Sequence, residues 1–374
     1  MKILVTGGAG FIGTHLVAAL RERGHAVRLY DNLDPQVHGT DCSKPKSLPQ
    51  DAEFIRGDIR DRDSLQQALE GIEAVFHLAS AVGVGQSMYQ VRHYADVNST
   101  GTATLLDIIV NEKTRVEKLI LSSSMSLFGE GKYQCGQCGV VAPSVRPLEQ
   151  LAQSDWELHC PVCKAHVTPL PTDESKPLEP TSVYATTKRD QEEMFVQIGS
   201  AYGIPTGVLR YFNVYGPGQA LSNPYTGVIA IFANSILAGE SPVVFEDGRQ
   251  TRDFTHVKDI VQANLLLLEK HTQGVEIFNV GTGVATDLKQ MLDHLYRELT
   301  GGNNASANVL GRYRAGDIRH CFADHSKLQR TLGFSPQISL AEGIKDLAGW
   351  LKTEAPSNVS AGALAELEQK GLVK

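Results

Sequence analysis

No apolar run in the 374-residue sequence approaches the roughly 18 residues of a membrane span, so no segment reads as a transmembrane helix. The N-terminus, "MKILVTGGAGF", lacks a signal-peptide layout, because its short apolar run gives way at once to glycines. No Lys/Arg-rich block occurs, and the net charge is −7. General nucleic-acid binding is therefore not expected, although a few placed groups could still hold a phosphate. Internal repeats and low-complexity tracts are absent as well. The six cysteines come without a secretion signal, which points to thiols or a metal in a reducing compartment and not to a disulfide framework. The expectation is a soluble, cytoplasmic protein with no membrane and no nucleic-acid partner. Apolar residues at 42% allow a sizeable core.

Over the first half, β-branched apolar runs alternate with helix-period segments. "KILVT", "HAVRLYD", "AEFIRGD", "EAVFHLAS" and "EKLILSSS" read as strands. "FIGTHLVAALRERG", "DRDSLQQALEG" with Asp61 as N-cap, and a long stretch near 95–112 read as helices. Repeated βα units predict an α/β fold with a doubly wound parallel sheet of Rossmann type. Residues 131–181 break the rhythm with four cysteines and several prolines, and read as an insertion. The expected organisation is a nucleotide-binding domain over 1–216 that contains this insertion. An interleaved, mainly substrate-binding lobe over 217–352 and a linker with a short helix over 353–374 complete it.

"VTGGAGFIG" joins the first strand to the first helix. Gly8, Gly10 and Gly13 satisfy GxGxxG; Gly7, Gly10 and Gly13 satisfy GxxGxxG. Glycines make the turn tight, admit a pyrophosphate to the backbone and let the helix pack closely, while the helix N-terminus offers N–H groups to the anion. Asp31, at the end of the second strand, can accept from both ribose hydroxyls and would repel a 2′-phosphate, which favours NAD over NADP. Asp58 and Ile59 could hold an adenine edge, although a turn or cap role suits Asp58 equally.

"YATTK" places Tyr184 and Lys188 at i and i+4 on one helix face. A tyrosine becomes a proton acceptor near neutrality only if its phenolate is stabilised by roughly 4 kcal/mol, which a nearby ammonium and a cationic nicotinamide ring could supply together. "SSSMSLFG" adds serines at a strand end.

Together these motifs resemble the extended short-chain dehydrogenases/reductases of the nucleotide-sugar epimerase and dehydratase type. The likeness extends to "RGDIRD", "FHLAS", "LRYFNVYGPGQ", "TRDFTHVKD" and "RAGDIRHCFAD" and spans nearly all of 1–350 outside the insertion. The resemblance implies that Ser124 orients the sugar hydroxyl, Tyr184 is the base and Lys188 holds the nicotinamide ribose. It also implies a cofactor shell drawn from Phe11, Ile12, Asn32, Leu78, Ala79, Ala81, Asn98 and Phe212. Ser126, Asn213, Arg252, Arg314 and Asp317 match positions that hold the nucleotide-diphosphate sugar. For the two arginines, forked cations suit a diphosphate independently.

Fold alone does not choose the reaction. Met125 and Ser126 stand where sugar-nucleotide 4,6-dehydratases carry an Asp-Glu pair, so elimination of water lacks its agents. Val82 stands where UDP-glucose/galactose 4-epimerases typically have a lysine. "DNLDPQVHG", "AVGVGQSMY", "ALSNPYTGVIAIFA" and "GDIRHCFAD" are most similar to epimerases that interconvert dTDP-L-rhamnose and dTDP-6-deoxy-L-talose. The implied chemistry is transient oxidation at C4, with NAD regenerated each turnover. A UDP-sugar 4-epimerase, a reductase or decarboxylase on the same scaffold, and an inactive binding protein are the competing readings.

Cys135-x2-Cys138 and Cys160-x2-Cys163 have the spacing of two zinc knuckles, and four thiolates suit a closed structural zinc site. Free thiols or a redox pair are the alternatives, and His159 and His166 are alternative ligands. Cys42 and Cys321 read as ordinary thiols. A homodimer is implied through the helices near 95–112 and 184–202. Leu105, Ile108, Ile109, Met194, Phe195 and Ile198 could form its seam or could equally be core.

Overall fold

The structure is a computed structural model that describes residues 1–39, 52–220, 223, 227–302, 307–314, 316–353 and 360–374. Its centre is a seven-stranded parallel sheet. Five strands come from the first third of the chain: β1 (Lys2–Thr6), β2 (Ala26–Asp31), β3 (Glu53–Arg56), β4 (Ala74–His77) and β5 (Lys118–Ser124). The insertion contributes β6 (Lys132–Cys135), β7 (Gly139–Val141) and β8 (Thr168–Leu170), which form their own antiparallel sheet. The central sheet is completed by β9 (Thr206–Tyr211) and β10 (Val275–Val280), in the order β10-β9-β5-β4-β1-β2-β3. "ILV" of β1 and "AVFH" of β4 are buried throughout, as continuous apolar strands must be when helices cover both faces.

Register puts the functional strand ends on one edge. Thr6 lies opposite Tyr30 and His77, Asp31 lies opposite Arg56, and Ser124 lies opposite Tyr211. This carboxyl edge, where the strand order reverses direction, is where ligands bind in open α/β sheets.

The cap predicted at Asp61 is present, and a second N-cap is found at Ser182. Asp61 accepts from Ser64 N at the start of the Arg62–Ala68 helix. Ser182 accepts from Ala185 N at the start of the Val183–Tyr202 helix, which ends at left-handed Gly203. Arg28, buried in β2, donates to the carbonyls of Gln67, Ala68 and Glu70 at the end of the Arg62–Ala68 helix and so satisfies its last turn. The stretch near 95–112 is not one α-helix. A π-helical turn, Ala95–Thr100, precedes the Gly101–Asn111 helix. Such turns widen the backbone and re-aim one side chain, here Asn98.

Elements after residue 217 return to the core of the first half. The Val257–Lys270 helix and β10 pack with the first-half strands in one core, although both follow residue 217. A separate core gathers Phe232, Met291, Leu295 and Ile344. Leu105, Ile108, Ile109 and Phe195 lie inside the sheet core, which removes them from any dimer seam; only Met194 and Ile198 stay partly exposed. Cys321 is a buried thiol whose pKa burial pushes up to about 12, and Cys42 lies outside the described residues.

The Val183–Tyr202 helix is clamped to the sheet by charge. Arg210 of β9 donates through Nη2 (2.5 Å) and Nε (3.0 Å) to Glu192, and Ser123 Oγ donates to the same carboxylate at 2.7 Å. Both charged side chains are under 5% exposed. Glu192→Gln leaves a buried guanidinium without its counter-charge. It is expected to cost about 3–5 kcal/mol in denaturant-induced unfolding.

Candidate active site

The glycine loop is set by two close approaches. Gly7 has φ +67°, and a Cβ there would stand 2.7 Å from Ala79 N; a Cβ on Gly13 would stand 2.3 Å from Gly7 O. The loop therefore lies directly on the turn after β4, and the Phe11–Glu22 helix begins against the loop with its N-terminus facing the sheet edge. Asp31, 7% exposed, accepts from Ala9 N at 3.0 Å and from Leu33 N at 2.9 Å. Each oxygen keeps accepting capacity, so the carboxylate is oriented without being saturated.

Asp58 is more heavily engaged. Arg60 donates to it through Nε (2.8 Å), Nη2 (2.7 Å) and its backbone N (2.9 Å), and Asn32 Nδ2 adds a contact at 3.2 Å. The Arg60 hydrogen bonds hold its carboxyl at about 2. Asp58 thus takes part in a local turn and ion pair. Ile59 is buried beneath it in the sheet core.

Leu78, Ala79 and Ala81 form the turn after β4. Asn98 reads that turn: Ala81 N donates to its Oδ1 at 2.7 Å, and its Nδ2 donates to Ala81 O at 3.1 Å and Thr187 Oγ1 at 2.9 Å. Phe212 follows β9 and is 2% exposed against Phe128. Phe11 and Ile12 are half-buried at the helix start.

Ser124, Tyr184 and Lys188 converge at the centre of this edge. Burial pushes the Tyr184 phenol up, and its hydrogen bond to Ser124 works against that rise. Ser124 caps a short 3₁₀ turn, accepting from Ser126 N at 3.2 Å and Ser126 Oγ at 2.9 Å. Lys188, 2% exposed, donates to Ser122 O at 2.5 Å and Gln191 Oε1 at 2.6 Å. Burial pulls its ammonium down to about 7, with Glu192 opposing. The favourable tyrosine shift expected from the motif therefore does not arise from the protein alone; it awaits a positive charge at the phenol.

Beneath Lys188 lies a layer that the motif search missed. His77, fully buried, lies 2.8 Å from Thr6 Oγ1 and 2.9 Å from Thr102 Oγ1, and Gln191 Nε2 donates to Thr102 Oγ1 at 2.7 Å. Burial, then the Lys188 charge, brings His77 down to about 3, so it is neutral at pH 7. Of these only Gln191 stands in local relation to the motif, three residues after Lys188 on the same helix.

Of the residues matched to the sugar nucleotide, Ser126 lies beside Ser124, and Arg252, Arg314 and Asp317 form a second group. Arg252 donates to Arg319 O (2.9 Å) and Ile318 O (2.7 Å), and Arg314 Nε donates to Asp317 at 2.7 Å while stacking on Phe245. A Cβ on Gly316 would stand 3.2 Å from Thr181 O, so this loop adjoins the start of the Tyr184 helix. Asn213 Oδ1 is buried with no hydrogen-bond partner.

In the insertion, the four sulfurs of Cys135, Cys138, Cys160 and Cys163 lie within 4.8 Å of one another. Tetrahedral zinc–thiolate bonds of about 2.3 Å would set sulfurs about 3.8 Å apart, so the group fits such an ion. Backbone N–H groups of Cys163 and Val162 pull the Cys160 thiol down to about 6. His159 and His166 pack on each other, outside the four-sulfur group.

Because Lys188 is harder to protonate when folded than when unfolded, the unfolded chain binds more protons between pH 7 and its ordinary value near 10.4. Stability therefore rises with pH across that window and is flat below it. Unfolding of wild type and Lys188→Met compared from pH 7 to about 9.5 is expected to show a smaller rise in the variant.

A sequence model of the NAD dependent epimerase/dehydratase family matches residues 3–149 and 163–281, with its gap inside the cysteine insertion. A dTDP-L-rhamnose 4-epimerase of Burkholderia thailandensis is 37% identical over 94% of this chain and 95% of its own. A putative UDP-glucose 4-epimerase of Methanocaldococcus jannaschii is 34% identical over 94% and 98%. Among solved structures, the UDP-glucose 4-epimerase of Thermotoga maritima with UDP-glucose superposes with a TM-score of 0.75 at 32% identity, covering 94% of this chain and 99% of that one. The UDP-glucuronic acid 4-epimerase of Bacillus cereus, with UDP-glucuronic acid and NAD, gives 0.75 at 28% over the same shares. With the glycine loop, the acidic strand end and the Tyr-Lys helix assembled on one sheet edge, and with these relatives covering nearly its whole length, the chain belongs to the NAD dependent epimerase/dehydratase family.

Proposed function

We infer that the protein is an NAD-dependent nucleotide-sugar 4-epimerase, with dTDP-L-rhamnose and dTDP-6-deoxy-L-talose as its substrate pair. The observation that carries the epimerase reading is the meeting of Ser124, Tyr184 and Lys188 beside the glycine loop. The substrate pair rests on the sequence likeness to the Burkholderia enzyme. UDP-sugars are the second reading, favoured by the UDP-sugar complexes among the similar structures.

The cradle fits NAD: a glycine loop packed against the turn after β4 leads into the N-terminus of the Phe11–Glu22 helix, and Asp31 is oriented with accepting capacity left for ribose hydroxyls. Held there by the glycine loop and Asp31, NAD would supply reversible hydride acceptance at the sugar C4. Tyr184 Oη would take the C4 hydroxyl proton and later give it back, while Ser124 Oγ orients that hydroxyl. Lys188, whose ammonium has a third donor beyond those on Ser122 and Gln191, would hold the nicotinamide ribose and supply positive charge near the phenol. Arg252 and Arg314 would clamp the diphosphate, and Asn213 Oδ1 would gain its missing partner from the substrate. Anchoring by the diphosphate leaves the hexose ring free to turn between the two transfers.

Four thiolates with no open position would hold a structural zinc ion. A homodimer would form through the outer faces of the Gly101–Asn111 and Val183–Tyr202 helices, where Ala103 and Met194 border a shallow depression.

Purified enzyme incubated with dTDP-L-rhamnose without added NAD is expected to give a second anomeric proton signal by NMR. No conversion of this sugar alongside turnover of a UDP-hexose would reassign the substrate. Tyr184→Phe is expected to lose at least about 100-fold in kcat while retaining bound NAD and sugar nucleotide. A variant that keeps its rate would remove the tyrosine from the chemistry. Elemental analysis is expected to find one zinc per chain, absent after Cys135→Ser with Cys160→Ser.

A further inference from the structure

The cysteine insertion does not hang free of the molecule. It is joined to the substrate lobe by buried charge, and the joint lies directly behind the arginines assigned to the diphosphate. Arg146 stands between the two cysteine pairs in sequence and is 5% exposed. Its guanidinium reaches three places at once. It donates to Trp156 O within the insertion at 2.9 Å, to both oxygens of Glu246 at 2.9 Å, and to Asp317 O at 3.1 Å. Glu157, three residues before Cys160, accepts from Arg319 Nη2 at 2.6 Å and Nε at 3.1 Å, and its other oxygen lies 3.2 Å from His320 Nε2.

Arg319 is completely buried and is bound by Glu246 and Asp247 as well. It is also the hinge of the arrangement, because the carbonyls of Ile318 and Arg319 are the acceptors that aim Arg252. Asp317, whose carbonyl Arg146 holds, is the residue whose carboxylate aims Arg314. Both forked cations thus take their orientation from a segment that the insertion grips through two side chains. Arg146, Glu246 and Arg319 are buried, so a pair broken among them leaves a charge without solvent, while part-exposed Glu157 and Asp247 close the network from its outer side.

The geometry points to Arg146 and Glu157 as positioning residues through which the cysteine module sets the diphosphate affinity of the site. This rests on the reading that Arg252 and Arg314 bind the sugar nucleotide. The module's own fold depends on its four sulfurs being brought together, so metal loss would loosen Glu157 and Arg146 and, through them, the two arginines. The cofactor cradle, which is built from other strands, would be untouched.

The test uses the full-length holoenzyme, with UDP and dTDP as probes of the diphosphate site by calorimetry. Glu157→Gln, at a half-exposed position, is expected to raise the Kd for the bound diphosphate and the KM for the sugar nucleotide by about tenfold, with kcat within about twofold and bound NAD unchanged. Arg146→Met is expected to do the same and Arg146→Lys to recover part of the affinity. Chelating the metal from wild type is expected to reproduce the affinity loss and to add nothing to Glu157→Gln. Unchanged Kd and KM in Glu157→Gln would overturn the proposal. So would a loss of NAD or kcat in step with affinity, which is the mark of general loosening. Wild type that binds neither diphosphate would sink the substrate reading and this proposal together, whereas normal wild-type binding with an indifferent Glu157→Gln sinks this proposal alone.

Discussion

The site depends first on the ion pair between Glu192 and Arg210. Tyr184, Lys188 and Glu192 are spaced four residues apart, so they share one stripe of one helix. The upper two members face the sheet edge where chemistry is placed, and the third is anchored in the sheet beneath. Because Ser123 donates to the same carboxylate, the clamp fixes the helix against the strand that presents Ser124. Tyrosine, lysine and serine come from two separate stretches of chain, and this buried contact sets their mutual position. Two opposite charges under 5% exposed hold geometry well because neither can leave without stranding the other.

A second layer governs electrostatics. His77 is kept neutral by burial and by the nearby lysine, and the lysine is held at a reduced pKa by the same dry surroundings. A neutral imidazole under Lys188 adds no competing positive charge, while Gln191 and Ser122 accept the ammonium's hydrogen bonds. The phenol, pushed up by burial, is a poor base until positive charge is assembled around it.

Much of this was legible in the sequence. The glycine loop, Asp31 and the YATTK helix announce themselves because each is a local pattern dictated by backbone geometry, and the caps Asp61, Ser182 and Gly203 follow from helix-end chemistry. What the sequence concealed is long-range. His77, Thr102 and Gln191 meet across separate strands and helices, and Arg146, Glu246 and Arg319 meet across more than 170 residues of chain, with no periodicity to reveal either group. The π-helical turn at Ala95–Thr100 escaped because no spacing in "ADVNST" distinguishes a wider turn from an α-helical one, and the contact of Asn98 with Ala81 exists only in three dimensions. The helix at Gly101–Asn111 has apolar residues that serve core or seam equally well by pattern; only burial assigns them to the core.

The central claim is that C4 is inverted by hydride transfer within one enzyme, with Tyr184 moving only the hydroxyl proton. The most direct measurement follows a nucleotide sugar deuterated at C4 through epimerisation in ordinary water. The account predicts that both epimers keep the deuterium at C4, because the hydride leaves and returns without meeting solvent. Loss of the label to water as the epimers equilibrate would contradict it, since that result requires C4 to be inverted by deprotonation of the carbon.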